Sequence, residues 1–273
     1  FAGGSISKDF APHAVKAGAV VIDNSSAFRM DPEVPLVVPE VNPQAILKHK
    51  GIIANPNCST IIMVMALKPI YDLAKIKRVI VSTYQAVSGA GKEGIDELDA
   101  QVRDHSEGRE MTANILPSAS AEKHYPIAFN LIPQIDVFCD NLYTKEEMKM
   151  VNETKKIMED YEMRITATTI RVPVYRSHSE SVNIELEKEV DLGAMREALA
   201  KFPGVTVQDD PSKQEYPMPL YTSEKDDVYV GRLRRDESCE KSYNMWVVGD
   251  QIRKGAALNT LQIAETMIKN GWI

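Results

Sequence analysis

The sequence predicts an α/β fold: an incomplete doubly wound, Rossmann-type domain joined to an α+β domain with a mostly antiparallel sheet. Three observations carry this expectation. Residues 19–23 are a short, continuous apolar run behind a helix candidate and a glycine, the pattern of a buried parallel strand in a βαβ unit. Residues 165–173 and 182–189 are β-rich runs separated by a turn, and residues 228–233 and 243–248 read as a further strand pair. The composition is globular, 44% hydrophobic and 26% charged over 273 residues, enough for a large core in one or two domains.

In chain order, residues 9–17 predict a helix closed by Gly18 at the position after the cap. Residues 24–30 follow the first strand at its carboxyl end, where open α/β sheets place ligands. Residues 36–38 and 52–54 read as two more short strands. Asn55-Pro56-Asn57-Cys58-Ser59-Thr60 ends the last of these and opens an apolar helix. Asn55, before a proline, is biased to extended geometry, and Asn57 or Ser59 can cap the helix. Cys58 then stands at a helix N-terminus, where the dipole and free N–H groups favour the thiolate. It is therefore expected to react ahead of Cys139 and Cys239. The alternative is a buried structural cysteine.

A long β run at 78–87 breaks at Ser88-Gly89-Ala90-Gly91-Lys92-Glu93-Gly94, which opens a helix. Such a turn can approach a phosphate or cofactor closely, although it is not GxGxxG and reads equally as a plain strand–helix turn. After a polar loop at 106–126, residues 144–161 predict a charged helix with a capping box, Thr144 and Glu147. Glu146 and Lys149 share one face of it, as a functional pair or a solvated one. Arg171 lies at a strand end and His178 in the following turn. Together they can supply a carboxylate clamp and a proton shuttle; the alternative for His178 is a structural turn residue. A helix at 191–202 and a closing helix at 256–269 complete the chain. The apolar face of the closing helix is expected at Leu258, Leu261, Ala264 and Ile268.

The net charge of −7, without a long basic run, argues against a nucleic-acid partner. Three cysteines, odd in number and far apart, form no disulfide framework or metal pair and point to a reducing cytoplasm. No apolar run reaches the ~18 residues of a membrane span, so no membrane partner is expected.

Five stretches occur together and in order: Asp23-Asn24-Ser25-Ser26-Ala27-Phe28-Arg29, Asn55 to Thr60, Ser82 to Gly91, Arg171-Val172-Pro173-Val174 with His178, and Arg253-Lys254-Gly255-Ala256-Ala257. On these the chain resembles the aspartate-β-semialdehyde dehydrogenase family along essentially its full length. The resemblance implies NADP as cofactor, phosphate and a small-molecule substrate, a homodimer or homotetramer, and a place in lysine, methionine and threonine biosynthesis. It implies that Cys58 is the nucleophile and carries a thioester, that His178 is the acid/base, and that Gln85 orients the intermediate. Arg171 would clamp the substrate carboxylate. Arg29 and Lys149 would hold phosphate, Asn57 would lie in the substrate site, and Glu146 would meet the substrate amine or hold Lys149. Ser26, Ser88, Gly89, Gly91 and Asn259 would contact the nicotinamide side.

The related reductase of N-acetyl-glutamyl phosphate is a second reading, and a catalytically silent dimerisation or substrate-binding fragment a third. The family's Gly-rich turn of GxxGxxG type does not occur in this sequence. Residues 1–57 and 255–273 are accordingly expected to form the remainder of the cofactor domain, and 58–254 the catalytic and dimerisation domain. The 273-residue chain is expected to bind NADP weakly, to turn over little and to expose a sheet edge near 19–23.

Overall fold

The computed structural model describes residues 3–272. Helix α1 (Gly4–Lys16) leads into strand β1 (Val21–Asp23). The helix starts earlier than its sequence signals indicate and holds Pro12 within it, while Gly18 follows its end in a left-handed conformation as expected. β1 pairs in parallel with β2 (Ile52–Ala54), Val21 opposite Ile52 and Asp23 opposite Ala54. The strand expected at 36–38 is reduced to one bridge, Leu36 to Ala54. The Asn42 side chain is the reason: it accepts from the Val38 N–H and donates to the Leu36 carbonyl, groups that a neighbouring strand would otherwise take. Among the described residues, β1 has no partner on its other edge.

The chain then runs through α2 (Cys58–Leu73), β3 (Ile76–Gln85), α3 (Lys92–Ser106), α4 (Lys145–Met158), β4 (Arg164–Arg171), β5 (His178–Leu186), α5 (Leu192–Lys201), β6 (Val205–Val207), α6 (Pro219–Thr222), β7 (Val228–Arg235) and β8 (Ser242–Gly249). A π-helical turn (Arg253–Ala257) joins β8 to the closing helix α7 (Leu258–Asn270). Six strands make one sheet in the order β4-β3-β5-β8-β7-β6. β3–β5, β5–β8 and β7–β8 are antiparallel; β3–β4 and β6–β7 are parallel.

α2 is buried at every position from Ser59 to Leu67, so it needs cover on all sides. It lies between the sheet and helices α4 and α5, in the middle of the main core with Ile61, Met65, Val79, Val182, Met195 and Val247. A smaller cluster joins Val37, Ala45, Ile46 and Ile53 to Ile263 and Met267 of α7.

The face of α7 differs from the expectation. Asn259, Ile263 and Met267 are buried, whereas Leu261 and Ile268 are exposed. The helix carries apolar residues on both sides, so its periodicity left the rotation open. A polar anchor sets it. Lys254, 1% exposed, donates to Glu40, Asn259 and Gln262, and Asn259 donates to the Val37 carbonyl and to Asn55. Each of these groups would be costly to bury without its partner.

Candidate active site

The site forms where β2, β3, β4 and β5 deliver their ends to the start of α2. Asn57 has extended geometry and caps α2, its Oδ1 accepting from the Thr60 N–H at 3.1 Å, so Cys58 is the first helical residue. The other half of the Asn57 amide donates to Glu146 Oε1 at 2.9 Å. Gln85 ends β3 and Arg171 ends β4, directly opposite each other in the parallel register. Gln85 Nε2 donates to the same Glu146 oxygen at 3.3 Å. Glu146 and Lys149 stand on the first turns of α4, whose capping box forms as read: Thr144 accepts from the Glu147 N–H and Glu147 accepts from the Thr144 N–H.

Glu146 and Lys149 are not a solvated pair. Glu146 is buried, and Lys149 bridges it to Asp136, both at 3.1 Å. Burial alone would raise the Glu146 carboxyl. The Lys149 charge, hydrogen bonds from Asn57 and Lys149, and Arg171 outweigh it and hold the group below its ordinary value. Burial disfavours the Lys149 charge, but Glu146 and Asp136 overcome it and raise the ammonium well above its usual range.

His178 is the first residue of β5 rather than part of a turn. It is fully buried, and burial, with Arg171 alongside, keeps it well below the ordinary imidazole range and so neutral. The Ala86 N–H donates to its Nδ1 at 3.0 Å. A neutral ring that accepts at Nδ1 carries its proton on Nε2, and Nε2 has no partner among the described residues. Gly89 lies against it: a Cβ there would stand 3.3 Å from Nε2 and 2.8 Å from Arg171 Nη1. Arg171 donates from Nη1 to the Ala86 carbonyl at 2.7 Å, and its buried Nε is unpaired among the described residues.

The expectation for the resting Cys58 is corrected. Burial, then the Glu146 carboxylate, push its thiol up to about 11 against the opposing pull of Arg29, the Ser59 N–H and Arg171. The helix terminus loses to desolvation and a like charge.

These groups share a cleft of about 430 Å³. Arg29, Asn57, Cys58, Gln85, Glu146, Lys149 and Arg171 line it, as do Ser26, Ser88, Gly89 and Gly91. His178 does not itself line the cleft; its Nε2 lies beside Gly89, which does. Asn259 does not line the cleft; it is the buried anchor of α7. A second cleft of similar volume near Tyr161 has its charged groups matched internally: Lys48 with Glu159, Lys50 with Glu33, and Lys156 with three backbone carbonyls. Among the described residues no cluster of His, Cys, Asp or Glu is placed to hold a metal ion, and no helix is long and apolar enough to cross a membrane.

Three participants escaped the sequence reading. Glu153 is buried and bonded to both Arg29 and the Asn57 N–H; its spacing of seven from Glu146 on one helix face was the available signal. Gly255 packs its backbone on Cys58, so a Cβ there would stand 2.9 Å from the Cys58 Cβ. Gln251 accepts from the Ser177 N–H and donates to Ser88, which it fixes at the cleft wall. Gly255 stood within the Arg253–Ala257 stretch but without a role, and no local pattern marks Gln251.

Residues 67–254 match the family described as semialdehyde dehydrogenase, dimerisation domain, and residues 1–49 match semialdehyde dehydrogenase, NAD binding domain. Fold and cleft thus define a nicotinamide-linked semialdehyde dehydrogenase. Aspartate-semialdehyde dehydrogenase of Aquifex aeolicus is 57% identical over 274 residues, covering 100% of this chain and 79% of that protein. The Bacillus subtilis enzyme of the same name is 54% identical, covering 98% and 78%. The crystal structure of aspartate semialdehyde dehydrogenase II from Vibrio cholerae complexed with ASA superposes with a TM-score of 0.93 at 47% identity, over 98% of this chain and 78% of that one. The chain belongs to the aspartate-semialdehyde dehydrogenase family.

Proposed function

We propose that this cleft interconverts aspartyl phosphate and aspartate semialdehyde, with NADP and phosphate, through a thioester on Cys58, and so serves lysine, methionine and threonine biosynthesis. The charge map around Cys58 is the observation that carries the reading. Arg171 offers a fork for the substrate carboxylate. Arg29 and Lys149 offer cations for the phosphate. Glu146, held ionised, offers an anion for a free ammonium. An N-acetylated substrate has no such charge, so a buried ionised Glu146 favours aspartyl over N-acetyl-glutamyl phosphate.

The Cys58 sulfur attacks the acyl carbon, the bond from that carbon to the phosphate oxygen breaks, the thiol proton leaves with the phosphate as it departs toward Arg29 and Lys149, and the acyl group stays on sulfur. In the free protein the thiol is protonated. A substrate ammonium paired with Glu146 removes one of the charges that raise it, so activation coincides with binding. His178, with its proton on Nε2, donates to the developing oxyanion. The nicotinamide, when bound, supplies or accepts the hydride. Gly89, Gly91 and Gly255 give the cleft around Cys58 a wall without side chains, which suits a flat ring, and Ser26 and Ser88 add hydroxyls at its edge.

The outer sheet face, with half-exposed Ile80, Tyr84, Ile170 and Trp246, is the surface we assign to a homodimer. Light scattering should give twice the chain mass. The deciding assay supplies phosphate and NADP with either aspartate semialdehyde or N-acetyl-glutamate semialdehyde. Turnover of the first alone, abolished by Cys58→Ser, is expected; preference for the second would overturn the assignment.

A further inference from the structure

Helix α4 presents Glu146, Lys149, Glu153 and Lys156 at intervals of three and four, which places them on one face. That stripe turns inward, toward the cleft and the loop that carries Arg29. Its first two members are assigned above. The lower two grip the Arg29 loop from two sides. Lys156 donates to the carbonyls of Arg29, Asp31 and Val34 at 2.8, 2.7 and 2.8 Å. Glu153, 1% exposed, divides its two oxygens. Oε1 meets Arg29 Nη1 at 3.3 Å, and Oε2 accepts from the Asn57 N–H at 2.6 Å.

The arrangement leaves Arg29 in a defined state. Its Nε donates to the Asn55 carbonyl at 2.9 Å and its Nη2 to the Asn24 carbonyl at 3.1 Å. With Nη1 on Glu153, each nitrogen makes one bond among the described residues. A guanidinium has five N–H groups, so one remains on each Nη, and Arg29 lines the cleft. Those two N–H groups make the fork that suits an oxyanion. The same carboxylate holds the backbone of the residue before Cys58. A plain structural ion pair would not need to join the anion-binding side chain to the nucleophile's turn, nor to sit unexposed, where an unmatched charge is costly.

We infer that Glu153 is a positioning residue: it aims the two free N–H groups of Arg29 at the phosphate and registers them against Cys58 through Asn57. The inference rests on the phosphate role proposed for Arg29. Glu153→Gln keeps the volume and an acceptor for the Asn57 N–H but removes the charge that orients Arg29.

The test is protection of Cys58 from iodoacetamide by inorganic phosphate, which requires no turnover, followed by mapping of the labelled peptide. Glu153→Gln should need about tenfold more phosphate for half-protection, an ordinary coupling between contacting residues, while half-protection by aspartate semialdehyde stays within about twofold. In an Arg29→Ala background the same substitution should add nothing. Glu153→Asp, which keeps the charge one methylene short, should fall between, and replaces Glu153→Gln if that variant does not fold. A wild-type phosphate dependence in a variant that only melts lower overturns the inference and leaves the proposed function standing, as does an equal shift without Arg29. If phosphate fails to protect the wild-type Cys58, the phosphate site itself is wrong and the inference falls with it.

Discussion

Gly255 touches Cys58 across the joint between the π-helical turn and α2: a Cβ at 255 would stand 2.9 Å from the Cys58 Cβ and 3.4 Å from its carbonyl oxygen. Neither contact involves a flexible side-chain end, so something rigid must move. Gly255→Ala is therefore expected to displace Cys58. The fold should survive, since overpacking costs about 1–3 kcal/mol. Turnover should drop on the order of a hundredfold, the scale of an ångström's misplacement. Melting curves and kcat measured side by side check this; an unchanged kcat would refute it.

Glu146 is the charged neighbour that raises the Cys58 thiol. In the free wild-type protein, Cys58 alkylation should climb with pH toward about 11 without levelling near 8, and exposed Cys239 should label first at neutral pH. Glu146→Gln removes a negative charge, which lowers the thiol value, so alkylation at pH 8 should quicken even as turnover falls. Slower labelling in this variant would contradict the electrostatics.

Arg171→Lys keeps a cation but loses the planar fork and the geometry that reaches the Ala86 carbonyl. The KM for aspartate semialdehyde should rise by roughly tenfold or more, since a point charge replaces a bidentate contact, while the KM for phosphate stays near wild type. Equal rises in both would place Arg171 elsewhere in the recognition.

Glu180 is buried on β5 with neither carboxylate oxygen bonded among the described residues, and burial raises it well above the ordinary carboxyl value. A raised folded value means that the stability it contributes is complete below about pH 4, the unfolded value, and is lost as pH climbs toward the folded one. Glu180→Gln cannot ionise. Its melting temperature should therefore gain on the wild type between pH 5 and 8 and lose that advantage near pH 4. Parallel pH profiles would show that Glu180 titrates normally.

The strands and helices that show period or punctuation were legible in the sequence: β1 from its unbroken apolar run, α4 from Thr144 and Glu147, and the start of α2 from Asn55-Pro56-Asn57. The motif residues around Cys58 were legible as well. What could not be read depended on distant partners. The rotation of α7 follows from Lys254 reaching Glu40, and the thiol's state follows from burial beneath distant elements and then from Glu146 arriving on another helix. The strand at 36–38 gave way because a side-chain amide, Asn42, occupied its backbone. Each is decided by an interaction whose partner lies off the local pattern, so a window of neighbours cannot show it.

The small cluster that seals β1 and β2 draws Val37, Ala45, Ile46 and Ile53 from near one end of the chain and Ile263 and Met267 from near the other. The Asn259–Val37 and Lys254–Glu40 bonds span 222 and 214 positions. During synthesis the early half of this unit must wait, its apolar side uncovered, for some two hundred residues to be added at roughly 5–20 per second. The six-stranded sheet, whose strands lie between those ends, can collapse first. The surroundings of Cys58 are thus completed only when α7 has emerged, and a nascent chain stalled before residue 258 should hold a formed sheet beside an open, protease-sensitive β1–β2 segment.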